Sequence, residues 1–190
     1  MVGGVKGTAI ESVVADVNRL VEKRRITREE LEVRLEPEDL ELLEQKLLPS
    51  AWYSLGTYGR MTQLLFEIEG RGKLEYLLER GRRAAERIRG AGLYAQLAAA
   101  RERWGDSLGS MMVTLGPAIY RDTEWAFRLL ADGAGRFEIE ISVPESFPDV
   151  CRHTTQGFIE HAATHASGRP VRISSERVSP TRIVFQGVTP

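Results

Sequence analysis

The chemically versatile side chains of this 190-residue sequence are concentrated in its last quarter. There lie the only three histidines, His153, His161 and His165, and the only cysteine, Cys151. His161 and His165 are four residues apart, so on a helix they share one face and offer two ligands to a divalent metal ion. Zinc sites need at least three protein ligands, and the direction of the helix keeps Cys151 out of a compact set. We therefore predict no metal site, with a two-histidine clip as the alternative.

Gly105-Asp-Ser-Leu-Gly109 spells the short motif in which some hydrolases place a nucleophilic serine. A serine nucleophile needs a general base and donors for the oxyanion. The only asparagine is Asn18, far upstream, and no histidine follows an aspartate by three residues. The motif lies in a helical context, where Asp106 or Ser107 is expected to cap a helix. The sequence thus predicts no enzyme.

Five arginines lie between Arg80 and Arg89 and form the strongest basic cluster. One interpretation is a face that binds phosphate or an acidic partner. The other is a solvated helix face that pairs with the glutamate-rich stretch Glu29–Glu44. The formal net charge of the chain is −1, and no aromatic residue interleaves the arginines. Nucleic acid is therefore not an expected partner.

The composition is that of an ordinary globular protein, with 42% hydrophobic and 28% charged residues. No run of about 18 apolar residues could span a membrane, and no Pro/Gly-rich linker divides the chain. A lone cysteine excludes an internal disulfide. We expect one domain over residues 1–190 and a cytoplasmic location.

The first part, residues 1–118, has mainly helical periodicity. Capping boxes are predicted at Thr8-x-x-Glu11 and Thr27-x-x-Glu30, and Pro37 suits the first turn of a third helix. That helix is expected to bury Leu40, Leu43, Leu47 and Leu48. Further helices are predicted after the turn Leu48–Tyr53 as far as Gly70, over 73–89, over 93–104 and over 107–115.

The second part, residues 119–190, changes to a period of two. Phe137, Ile139 and Ile141 alternate with polar residues, and the turn Asp132–Gly135 precedes them, which predicts a hairpin with one buried face. A helix over 149–167 and strands over 171–175 and 182–185 follow. The fold class is therefore α+β, with a helical N-terminal half packed on a C-terminal antiparallel β-β-α-β-β unit.

Two stretches resemble known families. Leu48-Pro-Ser-Ala-Trp-Tyr53, followed by Leu55, Tyr58 and Met61, resembles the signature of a paralogous family of uncharacterised myxobacterial proteins. The end of the chain resembles the 4-vinyl-reductase-type ligand-binding domain. The residues that carry this second resemblance are Cys151, Gly157-Phe-Ile-Glu160, Val171–Glu176 and Phe185.

The superfamily that this resemblance implies also includes haem–nitric-oxide sensors and Golgi-transport tethering subunits. The haem sensors use a histidine on a central helix and a Tyr-x-Ser-x-Arg clasp. No histidine precedes His153, and Ile173–Arg177 lacks the tyrosine. The closing hairpin also lacks the cysteines of the vinyl-reductase type. Haem and cysteine-bound metals are therefore not expected, and no cofactor is predicted.

What the resemblance implies is a non-enzymatic domain that binds a small hydrophobic ligand and signals through protein contacts. The alternative is a scaffold for a protein partner, with the same fold and a filled core. Family habit also implies a homodimer. Gly157 is expected to bring its helix close to the sheet. The candidate ligand-lining residues are Trp52, Tyr53, Tyr58, Trp125, Phe127 and Phe158.

Overall fold

The computed structural model describes residues 3–90, 104–130 and 135–188. The predicted helix over 93–104 and the turn at 132–135 lie almost wholly outside the described residues. The described helices are α1 (Gly7–Glu22), α2 (Arg28–Arg34), α3 (Pro37–Glu44), α4 (Leu55–Ile68), α5 (Leu74–Gly90), α6 (Trp104–Ile119) and α7 (Asp149–Ser167). The strands are β1 (Gly4–Lys6), β2 (Trp52–Ser54), β3 (Tyr120–Arg121), β4 (Glu124–Leu129), β5 (Arg136–Ser142), β6 (Arg172–Ser179) and β7 (Arg182–Val188).

The larger sheet has the order β4-β5-β7-β6 and is antiparallel throughout. Phe137, Ile139 and Ile141 of β5 are fully buried, as their alternation predicts. The outward-facing Glu140 accepts a hydrogen bond of 2.8 Å from Arg182 on the neighbouring strand β7. With α7 between the two hairpins of this sheet, the predicted α+β class and the C-terminal β-β-α-β-β unit are confirmed.

A second sheet, in the order β2-β1-β3, was not predicted from the sequence. Its strands have three, three and two residues, which is too short for an alternating pattern to be visible. Val5 is central and pairs with Tyr53 on one side and Tyr120 on the other. This sheet joins the start of the chain to the ends of two distant segments.

The start of α1 differs from the prediction because β1 runs directly into the helix. The helix begins at Gly7, without a side-chain cap, so the capping box predicted at Thr8 is wrong. The backbone N–H of Gly7 donates to Ala51 at 2.9 Å, and that of Thr8 donates to Pro49 at 3.3 Å. The connection before β2 thus satisfies the free donors of this helix end.

The predicted starts of α2 and α3 are confirmed. Both bonds of the Thr27–Glu30 capping box are present, and Pro37 occupies the first turn of α3. Leu43 is buried as expected, but Leu48 is 58% exposed, because α3 ends at Glu44. Among the described helices, none has the length and apolar run needed to cross a bilayer.

Asp39 and Arg60 form an ion pair that joins α3 to α4. The Asp39 carboxylate is fully buried and accepts two hydrogen bonds from the Arg60 guanidinium, at 2.6 and 2.8 Å. Burial raises the pKa of Asp39, but the hydrogen bonds from Arg60 and Thr57 outweigh it, so the pKa is lowered overall. A buried carboxylate held in this way depends on its partner.

Replacing Arg60 by Met should therefore destabilise the chain. The variant leaves the Asp39 carboxylate buried without its cation, and we expect the free energy of unfolding to fall by about 2 kcal/mol. Arg34→Met is the matched control, because Arg34 pairs with Glu67 at the surface, with both side chains nearly half exposed, and should cost at most about 0.5 kcal/mol. Urea unfolding measures the free energy of unfolding of both variants. Equal losses would show that the buried Asp39–Arg60 pair contributes no more to stability than a surface pair.

Candidate functional site

The six aromatic residues singled out from the sequence do not converge on one described cavity. Trp52 is half-buried in the small sheet, where the Lys6 ammonium lies 4.4 Å and the Arg121 guanidinium 5.7 Å from its ring. Tyr53 is beside it and accepts a hydrogen bond from the Leu48 N–H at 2.8 Å. Phe158 is half-buried on α7. These residues occupy separate regions of the fold.

Trp125 and Phe127 fill the contact between α6 and β4. A Cβ on Gly116 would lie 2.1 Å from the Trp125 indole, and one on Gly109 would lie 2.5 Å from the Phe127 ring. Phe127 also stacks on Phe137, with ring centroids 5.7 Å apart. These two aromatic side chains therefore pack directly on the backbone of α6.

Tyr58 belongs to a different arrangement, which we call the hydroxyl cluster: Tyr58 of α4, Tyr120 of β3, and Thr154 and Thr155 of α7. All four residues are buried. The two tyrosine rings meet edge to face with centroids 6.5 Å apart, and Tyr120 makes a similar contact with Phe147 at 5.3 Å. The cluster brings together the N-terminal helices and the C-terminal unit.

The hydrogen bonding of the hydroxyl cluster is incomplete. Thr154 donates to its own helix, at 3.1 Å to Val150 and 3.0 Å to Cys151. The Thr155 hydroxyl is buried and has no hydrogen-bond partner. Buried polar groups usually find partners, so this site departs from the common pattern.

The environment of the hydroxyl cluster favours uncharged groups. Burial raises the pKa of Tyr58, and it raises the pKa of Tyr120 well above the ordinary value, more than the neighbouring Thr155 and Thr154 hydroxyls lower it. Cys151 is fully buried nearby, and burial likewise raises the pKa of its thiol. All three groups are therefore neutral at physiological pH, and Cys151 is not a reactive thiolate.

Close helix packing positions the threonines of the cluster. A Cβ on Gly81 of α5 would lie 1.9 Å from the backbone oxygen of Thr154, and one on Gly157 of α7 would lie 2.0 Å from the backbone oxygen of Leu78. Gly157 thus allows close approach to α5, and not to the sheet as the sequence suggested. On α4, a Cβ on Gly59 would lie 2.4 Å from the Pro148 ring, so α4 closely approaches the residue that precedes α7.

Gly157→Ala should lower the free energy of unfolding by about 2 kcal/mol, because the new methyl group meets immovable backbone. Gly56→Ala is the control. A Cβ there meets only the ends of the Arg60 and Ser54 side chains, at 3.3 and 3.4 Å, and Ala favours a helix over Gly. Chemical unfolding of both variants tests the contact. An unchanged free energy of unfolding for Gly157→Ala would mean that the close α5–α7 contact does not stabilise the fold.

The histidines do not form a metal site with other described residues. His161 and His165 line an open cleft of about 360 Å³, together with Thr164, Gly168, Arg169 and Pro170. In the part of the chain that the structure describes, no group of three His, Cys, Asp or Glu side chains could hold a metal ion. Cys151 is in the core, so the structure does not bring it to these histidines.

His153 is half-buried beside a cation. Its Nε2 is 3.0 Å from the Arg152 guanidinium, and its Nδ1 is buried without a partner. Burial and then Arg152 lower the pKa of His153, while Gln156 and Asp149 oppose the shift. Arg152 itself donates to Ser175 on β6, which keeps it next to the imidazole.

This lowered pKa predicts a pH dependence of stability. As the pH falls through about 6.5, the unfolded state binds a proton at His153 before the folded state does, so stability is lost with acidification. The loss ends once the pH is below the folded-state pKa. His153→Gln should reduce the drop in Tm between pH 7.5 and 5.5. His165→Gln is the control, because His165 is exposed on the same helix, and it should leave the drop unchanged. Identical drops in all three proteins would show that His153 titrates normally.

Arg80 and Arg82 of α5 bind to acidic residues outside the predicted Glu29–Glu44 stretch. Arg80 donates to Asp16 of α1 at 2.6 Å and to the Tyr76 hydroxyl at 3.2 Å. Arg82 donates to Glu160 of α7 at 2.7 Å. Neighbouring acidic residues on α1, α5 and α7 therefore neutralise much of this basic cluster.

The Gly105–Gly109 motif lies inside α6 (Trp104–Ile119). Asp106 and Ser107 therefore do not begin a helix, and the predicted cap is wrong. Their side chains lie outside what the structure describes. The motif is itself helical, whereas the hydrolase interpretation needs a sharp turn between a strand and a helix.

Comparison with known proteins identifies the fold. No family model matches the chain, and no curated protein matches it in sequence. Solved H-NOX structures superpose on nearly its whole length. A mutant H-NOX protein from K. algicida, in the Fe(II) unliganded form, has a TM-score of 0.65 and 16% identity, over 97% of this chain and 96% of that chain.

Two further structures agree. The H-NOX protein from S. oneidensis in the Fe(II)NO ligation state has a TM-score of 0.64 at 12% identity, over 97% of this chain and 99% of that chain. A mutant H-NOX from T. tengcongensis has a TM-score of 0.58 at 16% identity, over 97% of each chain. The fold of this chain is therefore that of the H-NOX domains.

The residues present do not fit the haem that this fold family implies. A haem iron is commonly held by a histidine facing an enclosed pocket. All three histidines of this chain are on α7: His153 adjoins Arg152, and His161 and His165 line the open cleft. The lone cysteine is a buried neutral thiol. The histidines and the cysteine of this chain therefore do not fit a haem iron.

Proposed function

We propose that this chain is a non-enzymatic sensory domain that binds a small molecule and signals through protein contacts. The observation that carries the proposal is the hydroxyl cluster, a buried and incompletely bonded polar site where α4, β3 and α7 meet. The H-NOX fold supports it, because proteins of this fold are solved in ligand-bound forms. The chain acts as a single domain over residues 1–190.

A ligand at this junction has a means of signalling. Tyr58 lies on an N-terminal helix, whereas Thr154 and Thr155 lie on the helix of the C-terminal unit. A molecule bound between them changes the relative stability of separated and closed arrangements of α4 and α7. The expected output is altered binding of a protein partner, or of a second copy in a homodimer.

The competing function is a scaffold with a filled core, and one observation favours it. Trp125 and Phe127 pack tightly against Gly116 and Gly109 of α6. A scaffold, however, gains nothing from a buried hydroxyl without a partner, since an apolar side chain of the same shape would avoid the desolvation cost. The hydroxyl cluster is thus the feature that separates the two functions.

The test is whether the folded chain binds a small molecule at all. Native mass spectrometry of the purified protein, compared with its denatured mass, detects a carried ligand. In parallel, a thermal-shift screen with small metabolites should find compounds that raise the Tm, because a ligand specific for the folded state stabilises it. If the native mass shows no carried ligand and no compound raises the Tm, the ligand-binding function is wrong and the scaffold function stands.

Hemin is the negative probe in the same screen. With no suitably placed histidine, we expect hemin to give neither a sharp Soret band of an axially ligated haem nor a rise in Tm. The His153→Ala variant should give the same spectrum as the wild type. A stoichiometric, histidine-dependent haem spectrum would contradict our conclusion about the donor set.

A further inference from the structure

We propose that the outer face of the small sheet binds an acidic segment of a protein partner. This face carries Lys6 of β1, Trp52 of β2 and Arg121 of β3, which together we call the Trp52 patch. The inference deepens the proposed function, on which it rests, because it names the surface through which the domain makes its protein contact. It is argued from the placement, the charge and the composition of these side chains.

The register of the strands places the Trp52 patch on one face of the sheet. Lys6 is directly opposite Trp52. Arg121 is opposite Gly4, which is two residues before Lys6 on β1. Residues two apart on a strand share a face, and the intervening Val5 is fully buried on the other face. The patch therefore faces away from the core, and the Arg121 side chain is half exposed.

Gly4 allows Arg121 to reach the indole. A Cβ on Gly4 would lie 3.2 Å from Nε and 3.4 Å from Cβ of Arg121, so the arginine side chain lies directly over this glycine. The guanidinium of Arg121 is 5.7 Å from the centroid of the Trp52 ring, and the ammonium of Lys6 is 4.4 Å from it. Two cations are thus held around one half-buried indole.

The positive charge of the Trp52 patch is only weakly compensated within the chain. Arg121 pairs with Asp122 at 3.6 Å, with both side chains partly exposed, and surface pairs of this kind contribute little. Arg80, which lies over the Tyr76 ring, is a contrasting case, because the mostly buried Asp16 accepts its hydrogen bond at 2.6 Å. Two neighbouring positive charges repel each other, so an anion that binds between the two cations of the patch is favoured.

An acidic protein segment fits this surface better than other anions do. Tryptophan and arginine are among the side chains that most often dominate the energy of protein–protein contacts. Leu48 is 58% exposed, and its carbonyl oxygen would lie 2.1 Å from a Cβ on Gly7, the residue after Lys6, so it adds apolar area beside the patch. Nucleic acid needs a longer row of cations, and the formal net charge of the chain is −1. Small ligands prefer concave sites, whereas this patch lies on the outer face of a sheet.

The experiment titrates the full chain with a short aspartate-rich peptide that contains leucine, and with the same peptide carrying asparagine at every aspartate. In the NMR spectrum of the nitrogen-15-labelled chain, the indole N–H signal of Trp52, assigned with Trp52→Phe, should shift with the acidic peptide alone. The indole of Trp125 donates to Thr123 at 3.0 Å and is the internal reference. Equal shifts of the Trp52 signal with both peptides, or an equally large shift of the Trp125 signal, would overturn the inference.

Variants that remove one charge localise the surface. Lys6→Gln and Arg121→Gln should each weaken binding of the acidic peptide about fivefold, which is the effect of one partly exposed charge pair, and should leave the Tm nearly unchanged. Two variants are used in case one fails to fold. Lys73→Gln is the matched control, because Lys73 is an exposed cation beyond the end of α4 that is remote from β2, and it should not change the affinity.

Two results with these proteins would contradict the inference. If Lys73→Gln weakens the acidic peptide as much as Lys6→Gln and Arg121→Gln do, the attraction comes from the charge of the whole chain and not from the Trp52 patch. If a single-stranded oligothymidylate binds more tightly than the acidic peptide, the partner is a nucleic acid and not a protein.

Failure of this inference is distinguishable from failure of the proposed function. If a small molecule binds the chain but the Trp52 signal does not respond to the acidic peptide, the Trp52 patch is wrong and the sensory function stands. If the peptide binds at the patch but no small molecule binds the chain, the sensory function is wrong and the patch serves the scaffold function instead.

Discussion

The close contact between α5 and α7 is the constraint on which the arrangement of the molecule depends. The two helices can approach this closely because Gly81 of α5 and Gly157 of α7 have no side chain. A Cβ at either position would overlap main-chain atoms of the other helix. Around this contact, Arg82 of α5 reaches Glu160 of α7. The N-terminal helices are thereby held at a fixed distance from the C-terminal unit, and the position of the hydroxyl cluster follows from that distance.

Buried polar groups are treated in two different ways in this fold. The buried Asp39 carboxylate forms an ion pair with Arg60. Arg80 donates hydrogen bonds to Asp16 and to the Tyr76 hydroxyl. Thr155, in contrast, is buried without a partner. The hydroxyl of Thr62 on α4 is buried without a partner in the same way.

The H-NOX fold is here combined with a different set of donors. A fold constrains which elements meet, whereas a ligand depends on the few side chains that face it. In this chain the histidines are all on α7, and Trp125 and Phe127 close the space between α6 and β4. The fold is therefore that of its structural neighbours, whereas the histidines and the cysteine of this chain do not fit a haem iron.

The sequence alone was sufficient for the larger elements. Alternating apolar residues predicted β5, the Thr27–Glu30 box predicted the start of α2, and the change of period near residue 120 predicted the α+β class, because these signals are local. The predictions of no metal site and no serine nucleophile were argued from missing partner residues, and they stay predictions. Of the six aromatic residues named as a ligand lining, only Tyr58 belongs to the hydroxyl cluster.

Long-range contacts decided the rest. The small sheet joins strands of two or three residues from three distant segments, and no local pattern marks such short strands. The partners of Arg80 and Arg82, and the meeting of Tyr58 with Tyr120, depend on which helices touch. Whether a threonine hydroxyl has a partner is likewise invisible in the order of residues, since that depends on the atoms that folding places within 3.5 Å of it.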